Sequence, residues 1–428
     1  METLPDEVLA FILKLLPKRD LLLTVPGVCR QLRRVSGDCV VEIDGDSGVR
    51  LSDGRLQAFG VRFHGVQRLV MGYQTSVTVE TLIDFVRVNR RLTMIDLRLS
   101  KHLCGDDRVM RCLSSKEHGV RRDVVELGLQ GSGDVVEWAG AHCPSVECLR
   151  FRTGDLELPY LIGKFTKLRK LYLTGCDWVE IVPESIGDLA GLEVLDLSDC
   201  FELMSLPESM GKLRKLELLK VSFCGSLRTL PESTGELVEL RELDLEYCSS
   251  LASLPVMSKL TKLKSIRVFG CDRLGLPWWI GHLSGLQLLS VGIAFAVHVE
   301  EGQFNSLPLS IGDLKGLEVL DLNSCINLVS LPETIGGLVG LVSLDLSFCE
   351  SLTSLPDSIG DVATLEALIL TGCVKLGLLP GTISRLHRLT ILKVTGCLEL
   401  TAASVAESLV SQLRQLTVID GLVEYSWQ

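Results

Sequence analysis

The chain has 428 residues, a formal net charge of −11 and 46% hydrophobic residues. This apolar content excludes a disordered chain, and the acidic balance argues against a nucleic-acid-binding protein. Aromatic residues make up only 5% of the chain, so its apolar surface is mainly aliphatic.

The amino terminus does not predict export or a membrane anchor. Glu2, Asp6 and Glu7 stand where a secretory signal peptide carries basic residues, and no Asn-x-Ser/Thr sequon occurs. No apolar run is long enough to span a bilayer. We therefore expect a protein of the cytoplasm, the nucleus or both, whose fifteen cysteines are reduced.

Residues 1–40 predict three short helices. Leu4-Pro5-Asp6-Glu7 places a proline and acids where the first turn of a helix favours them, and a second helix follows Pro17. A third helix is predicted over residues 28–35. The order Leu-Pro-x-Glu-x-Leu, Asp-Leu, Val-Cys-Arg resembles the F-box, although Leu32 stands where many F-boxes carry Trp.

The F-box resemblance implies a partner. In that family the helices dock on a Skp-type linker protein, which bridges to a cullin complex and its ubiquitin-loading machinery. The residues that the resemblance assigns to this contact are Leu4, Pro5, Val8, Leu9, Ile12, Val28 and Leu32. The alternative is that the segment is an amphipathic cap over the open end of a repeat array.

Residues 41–145 predict repeating strand segments without a fixed period. Apolar residues alternate at residues 66–71, 92–97 and 124–129, as one face of a strand requires. Helical patterns lie between these segments at residues 79–91 and 106–113. Near Cys143 and Cys148 the sequence resembles the cysteine-containing repeat of F-box leucine-rich-repeat proteins.

Residues 146–428 carry a regular repeat. Its unit reads Leu192-x-x-Leu195-x-Leu197-x-x-Cys200, followed by Leu206-Pro207, and it resembles the plant-type leucine-rich repeat. One coil carries seven extra residues near 295–305. Leu413, Leu416 and Val418 are expected to close the series. The cysteines recur at a spacing of about 24 residues: Cys176, Cys200, Cys224, Cys248, Cys271, Cys325, Cys349, Cys373 and Cys397.

This repeat predicts an α/β solenoid. Each coil supplies one strand that must pair with the strands of neighbouring coils, which gives a parallel sheet on the concave face of a leucine-rich-repeat horseshoe. Leu-Pro keeps the return path from becoming a long helix. The cysteines lie one per coil, so we expect them to be buried and to donate to backbone carbonyls rather than to bind a metal.

The concave face is the predicted site for a protein client, whose identity the sequence leaves unknown. Asp196, Lys220, Asp244 and Arg267 alternate in sign along neighbouring strands, whereas two aspartates further along are adjacent without a basic partner. That pair either receives a basic residue of the client, or it reflects only that Asp is common in the Leu-Asp-Leu segment of this repeat. The candidates are Tyr172, Phe223, Tyr247, Phe269, Asp321, Asp345 and Phe348.

Trp278 and Trp279 occupy positions after a Leu-Pro that we expect to be exposed. Either the insertion at 295–305 covers them, or they form a convex docking patch.

No catalytic motif, metal-ligand spacing or phosphate-binding glycine loop occurs, so we predict no catalytic residue, no metal and no cofactor. The leading hypothesis is a non-catalytic, substrate-recognition adaptor of an SCF-type ubiquitin ligase, monomeric when alone. One alternative is a scaffold of intracellular or defence-type signalling that works without ubiquitin. A third possibility is an inhibitor that encloses one enzyme, as ribonuclease inhibitor does.

Overall fold

The computed structural model describes residues 42–44, 51–62, 66–71, 75–89, 91–98, 100, 102–103, 106–113, 124–155, 158–293, 304–400 and 418–420. The predicted F-box segment lies outside these residues. The chain divides into two compact units, Met1–Cys176 (unit 1) and Asp177–Gln428 (unit 2).

Within its described residues, unit 1 contains six strands that pair in parallel in chain order. Helices connect the first five strands, and a 3-10 helix, Tyr160–Lys164, precedes the sixth. The elements are β1 (Glu42–Asp44), α1 (Asp53–Arg62), β2 (Arg68–Val70), α2 (Val79–Val88), β3 (Met94–Asp96), α3 (Asp107–Leu113), β4 (Glu126–Gln130), α4 (Gly133–His142), β5 (Cys148–Arg152) and β6 (Lys170–Tyr172). The predicted strands at 66–71, 92–97 and 124–129 and both predicted helices are confirmed.

Helix α2 shows how the irregular coils are built. Leu82, Phe85 and Val86 bury one face of the helix, and Thr78 caps its first turn by accepting the Thr81 N–H. The backbone and side-chain N–H groups of Asn89 both donate to the Phe85 carbonyl. These bonds end the helix at Val88, before the predicted end at residue 91.

The described part of unit 2 contains ten strands, and each pairs in parallel with the next along the chain. Most of them are three residues long. They are β7 (Val194–Asp196), β8 (Leu218–Lys220), β9 (Glu242–Asp244), β10 (Ser265–Phe269), β11 (Leu288–Gly292), β12 (Val319–Asp321), β13 (Ser343–Asp345), β14 (Ala367–Ile369), β15 (Ile391–Lys393) and β16 (Val418–Asp420).

The return path of most unit 2 coils is a five-residue 3-10 helix that begins directly after the Leu-Pro proline. These helices are Glu184–Asp188, Glu208–Lys212, Glu232–Glu236, Trp278–His282, Leu309–Asp313, Glu333–Gly337, Asp357–Asp361 and Gly381–Arg385. The fixed φ of proline suits the first position, and a 3-10 segment is short by nature. The predicted α/β solenoid with a parallel sheet is therefore confirmed.

Leucines of successive coils form one continuous core in unit 2. Leu195, Leu219, Leu243 and their counterparts in each strand are fully or almost fully buried and lie in register. Glycine in the 3-10 helix lets adjacent coils approach: a Cβ on Gly187 would lie 2.5 Å from the Ser209 carbonyl oxygen. The repeat thus requires leucine in the core and glycine where adjacent coils approach closely.

The last strand corrects the predicted phase of the final coil. We expected Leu413, Leu416 and Val418 to continue the leucine pattern, but Leu392 of β15 pairs with Ile419 of β16. The equivalent of the strand leucine is therefore Ile419, three residues further along than Leu416. A final coil longer than 24 residues accounts for the difference, and the fixed period used for the prediction does not hold there.

The repeat cysteines are buried except for the half-buried Cys397, and most of them donate to a carbonyl of the preceding coil, as predicted. Cys248 Sγ lies 3.0 Å from the Val221 carbonyl oxygen, and Cys349 Sγ lies 3.4 Å from that of Leu322. Burial raises the pKa of the Cys349 thiol to about 12. Cys224, Cys271, Cys325, Cys373 and Cys397 make the same contact.

Candidate functional site

The strand side chains that alternate with the buried leucines form the outer sheet face of each unit. In unit 2 the pairing of β7 to β15 places one such residue of each strand in a single row. The row is Asp196, Lys220, Asp244, Arg267, Ser290, Asp321, Asp345, Ile369 and Lys393. This is the row that the sequence predicted, and its members are half-buried except for the buried Ser290.

The charges of this row are paired less completely than their alternation predicts. Lys220 Nζ lies 3.8 Å from an oxygen of Asp244, which is an ion pair with partial solvent exposure. Asp196 instead accepts hydrogen bonds from the backbone and hydroxyl of Ser198 at 2.9 and 2.6 Å. The exposed ion pair adds little stability, since such pairs contribute about 0–1 kcal/mol.

The strand aspartates have a structural role that sequence reasoning missed. Asp196, Asp244, Asp321 and Asp345 each accept the backbone N–H of the residue two positions later. The bond satisfies a donor where the strand ends and the chain turns. The signal was present in the sequence, because the aspartate recurs in Leu-Asp-Leu at the same place in several coils.

Asp321 and Asp345 are adjacent in register, as expected from the repeat. Asp321 also accepts the Ser290 hydroxyl at 3.0 Å, and both carboxylates receive the N–H groups of their own turns. These bonds give a structural reason for both residues, while the two negative charges remain side by side on the outer face. A role in client binding stays a prediction.

The residue before each repeat cysteine has a left-handed backbone. Glycine fills this place at Gly175, Gly270, Gly372 and Gly396, with φ of 72–76°. Asp199 and Ser324 fill it in two other coils, and aromatic residues fill it in three: φ is 59° at Phe223, 60° at Tyr247 and 58° at Phe348. A side chain with a Cβ costs roughly 1–2 kcal/mol in this conformation, so these aromatic residues are held there against a local preference.

Three of the candidate aromatic residues form one contiguous group, which we call the aromatic row: Phe223, Tyr247 and Phe269. The Phe223 and Tyr247 rings are stacked, with centroids 4.5 Å apart and planes 9° apart. The Phe269 ring meets Tyr247 edge to face at 5.6 Å. Phe269 itself lies over Gly292, where an added Cβ would be 2.6 Å from the ring.

The other two aromatic candidates lie elsewhere. Phe348 is 48% exposed and lies over Gly372 of the next coil, where an added Cβ would be 2.7 Å from its ring. Tyr172 belongs to unit 1, where the Arg150 guanidinium lies 4.9 Å from its ring centroid. The predicted client site is therefore not one cluster but the aromatic row together with separate positions.

Acidic and basic side chains both lie near the aromatic row. Glu246, between Asp244 and Tyr247 in the chain, is half-buried; burial and the Asp244 charge raise its pKa, and Arg267 and Lys220 oppose this effect. Phe223 is 41% exposed, so its ring is accessible. Accessible ring faces beside carboxylates can hold a cationic side chain through cation–π and charge-assisted contacts.

Trp279 was wrongly predicted to be exposed. It is only 2% exposed, whereas Trp278 is 66% exposed and contacts the His282 ring edge to face. The second position of these 3-10 helices faces the preceding coil, as the contacts of Ser209 with Gly187 and of Ser310 with Gly281 show. The insertion residues 294–303 lie outside the described residues.

Within the described residues, no group of three or more His, Cys, Asp or Glu side chains could hold a metal ion. His102 Nε2 lies 2.9 Å from the Val77 carbonyl oxygen, and Cys112 donates to the Ile83 carbonyl at 3.8 Å. Among the helices of the same residues, none is long and apolar enough to cross a membrane.

Comparisons with known proteins agree with this architecture. Residues 148–273 and 296–428 match a family model described as a leucine-rich repeat region. A leucine-rich repeat protein of Leptospira interrogans is 19% identical, with a TM-score of 0.50 over 90% of this chain and 96% of that one. No curated protein sequence matches the chain significantly.

Two further solved structures have lower TM-scores. The leucine-rich repeat domain of the type III effector XopL is 28% identical, with a TM-score of 0.39 over 56% of this chain and 72% of that one. A TDR receptor is 18% identical, with a TM-score of 0.48 over 86% of this chain and 65% of that one.

Proposed function

Because the chain belongs to the leucine-rich repeat family, we propose that it recognises a protein partner through the outer sheet face of unit 2. Solenoids of this kind bind partners along their extended sheet surface. The observation that carries the proposal is the aromatic row, since accessible aromatic side chains supply much of the binding energy at protein interfaces.

The backbone adds independent support for a binding role. Phe223 and Tyr247 occupy the left-handed position that glycine fills in other coils, which costs stability. Residues held in strained backbone conformations are concentrated at functional sites. The excess of acidic over basic residues in 160–428, 32 against 21, favours a basic client.

The test compares the interaction partners of matched variants. Proximity labelling in cells, with and without proteasome inhibition, is carried out with the full chain, Phe223→Ala/Tyr247→Ala and Phe201→Ala. Phe201 is also an exposed phenylalanine of unit 2, but it lies in the loop after Cys200 rather than in the row. We expect the double variant alone to lose the specific partner. Equal labelling by all three proteins would exclude the aromatic row as the binding site.

We further propose that the protein is the non-catalytic, substrate-recognition subunit of an SCF-type ubiquitin ligase in the cytoplasm or nucleus. The F-box-like order of residues 1–36 supports this, with Leu4, Pro5, Val8, Leu9, Ile12, Val28 and Leu32 docking on a Skp-type linker protein. The ligase would act on the client by proximity, with the cullin complex supplying the chemistry.

Co-purification separates this proposal from the client-binding proposal. The full chain should retain the linker protein, and a chain lacking residues 1–36 should lose it while keeping the client. Phe223→Ala/Tyr247→Ala should show the opposite pattern. A full chain that retains no linker protein would leave a ubiquitin-independent scaffold as the function.

A further inference from the structure

The described side chains of β2 to β6 give this part of the unit 1 outer sheet face an excess of basic groups. On these strands and at their ends, the described side chains include two carboxylates, Asp96 and Glu126, and five basic groups. The basic groups are Arg68, Arg98, Arg150, Arg152 and Lys170.

Glu126 is shared by two guanidinium groups. Its Oε1 lies 3.0 Å from Nη1 of Arg68, and its Oε2 lies 3.3 Å from Nη1 of Arg150. One carboxylate therefore balances two arginines, and a positive charge remains. Both arginines keep part of their surface exposed, so this charge is accessible to a ligand.

The arginines are held in fixed positions before any ligand binds. Arg150 is also placed over the Tyr172 ring. Arg98 binds Asp96 with two nitrogens, at 3.0 and 2.7 Å, and Arg152 Nε donates to the Gly175 carbonyl at 3.0 Å. Ordering these side chains in advance lowers the entropy that a ligand would otherwise have to overcome.

Donors remain for an anion on this face. A guanidinium carries five N–H donors, and for Arg150 only Nη1 is engaged with described residues. Lys170 is exposed and forms no ion pair within the described part of the chain. Carboxylate groups match these donors in charge and, for arginine, in bidentate geometry.

The spacing selects an extended ligand. From β3 to β6 there are three strand intervals, or about 14 Å. One small anion cannot reach Arg98 and Lys170 together, whereas carboxylates along one peptide can. We propose that the outer sheet face of unit 1 binds an acidic peptide segment of a protein partner, which runs across β3 to β6 and contacts Arg98, Arg150, Arg152 and Lys170.

The test measures binding of a fluorescein-labelled poly-glutamate peptide to the full chain at low ionic strength. A serine–glycine peptide of equal length is the ligand control. The test variants are Arg152→Gln/Lys170→Gln and the single change Lys170→Glu, which alters an exposed side chain only. The protein control is Lys164→Gln/Lys167→Gln, which removes two exposed charges of unit 1 outside its strands. Thermal unfolding by circular dichroism establishes that each variant is folded.

We expect saturable binding of poly-glutamate, about tenfold weaker in both test variants and unchanged in the control variant. Equal weakening in the control variant would reduce the effect to net charge and overturn the proposal. Displacement of the peptide by equimolar tripolyphosphate would also overturn it, because the site would then be one for a compact anion. These outcomes leave the client proposal for unit 2 untouched, since its aromatic row is intact in every variant.

Discussion

The position before each repeat cysteine decides which side chain a coil can display. Its positive φ suits glycine, and the side chain that replaces glycine projects beside the neighbouring coil, as Phe223 and Tyr247 do. At Gly372 the absence of a side chain leaves room for the Phe348 ring. Glycine thus fills this backbone position in some coils, and an aromatic residue fills it in others.

Gly372→Ala should destabilise unit 2 by about 1–2 kcal/mol, because alanine is disfavoured at φ 74° and its Cβ would meet Phe348. Urea unfolding followed by circular dichroism measures the change. Gly377→Ala is the control, since its Cβ would meet only one atom, at 4.0 Å, and its φ is not positive. Equal loss in both variants would contradict the explanation.

Cys349 should resist alkylation in the folded protein. Burial raises its pKa to about 12 from an ordinary 9.0, so almost no thiolate exists at pH 8. We expect iodoacetamide to modify this cysteine only after unfolding in urea, as peptide mass spectrometry would show. The Cys349 thiol ionises more easily in the unfolded chain than in the folded one. Its contribution to folding stability is therefore full below pH 9 and falls as the pH rises toward 12. Rapid labelling of Cys349 in native protein would contradict the burial.

At the scale of elements, the 3-10 helices are linked from coil to coil by carboxylates. Glu208 accepts the backbone N–H groups of Glu232 and Ser233 at 3.2 and 3.0 Å, and the Ser233 side chain together with these bonds lowers the pKa of Glu208. Glu184 and Glu333 make the equivalent bond to the next coil. The acids thus satisfy helix donors that have no partner within their own helix.

Glu208→Ala should cost up to about 1 kcal/mol of unfolding free energy, a limit set by the solvent exposure of the carboxylate. Glu232→Ala is the matched control, because Glu232 occupies the same position one coil later and its carboxylate makes no hydrogen bond to the described residues. Urea denaturation at pH 7 and pH 3 measures the free energy of unfolding of each variant. The difference between the variants should shrink as the pH falls below the ordinary glutamate pKa of 4.5, because protonation of the Glu208 carboxylate removes its contribution.

The elements could be predicted from sequence where one residue type has one role. Leu-x-Leu located the strands, and Leu-Pro located the return path. Prediction failed where packing between coils decides the outcome. Trp279 is buried because the second position of its 3-10 helix faces the preceding coil. Strand β16 lies further along the chain than predicted because the last coil is longer. The aromatic row needed the three-dimensional pairing, since Phe269 stands one position earlier in its coil than Tyr247.

At the scale of the molecule, strands β2 to β6 of unit 1 carry an excess of basic side chains, whereas the row of unit 2 carries four aspartates and three basic residues. Each charge pattern is distributed over several strands rather than concentrated in one element, since each strand contributes only two or three outward side chains. Such a surface can be extended or shortened in whole coils, because each coil depends chiefly on its neighbours.

Removal of residues 341–364, one complete 24-residue period from Leu341 to the residue before Leu365, should leave unit 2 folded. Circular dichroism should retain the native form of the spectrum, and the urea m-value should fall because less surface is exposed on unfolding. Removal of residues 353–364, half a period, should unfold the neighbouring coils because their leucines no longer coincide. A folded half-period variant would contradict the repeat-by-repeat account.

The column of buried thiols has a consequence for damaged protein. In the native state most of these sulfurs are buried and lie within hydrogen-bond distance of a carbonyl of the preceding coil, which makes them unreactive. Unfolding would release closely spaced thiols of ordinary acidity together, and under oxidising conditions they would cross-link before the coils could re-form. The spacing that makes the native solenoid regular therefore makes its loss a one-way event outside a reducing environment.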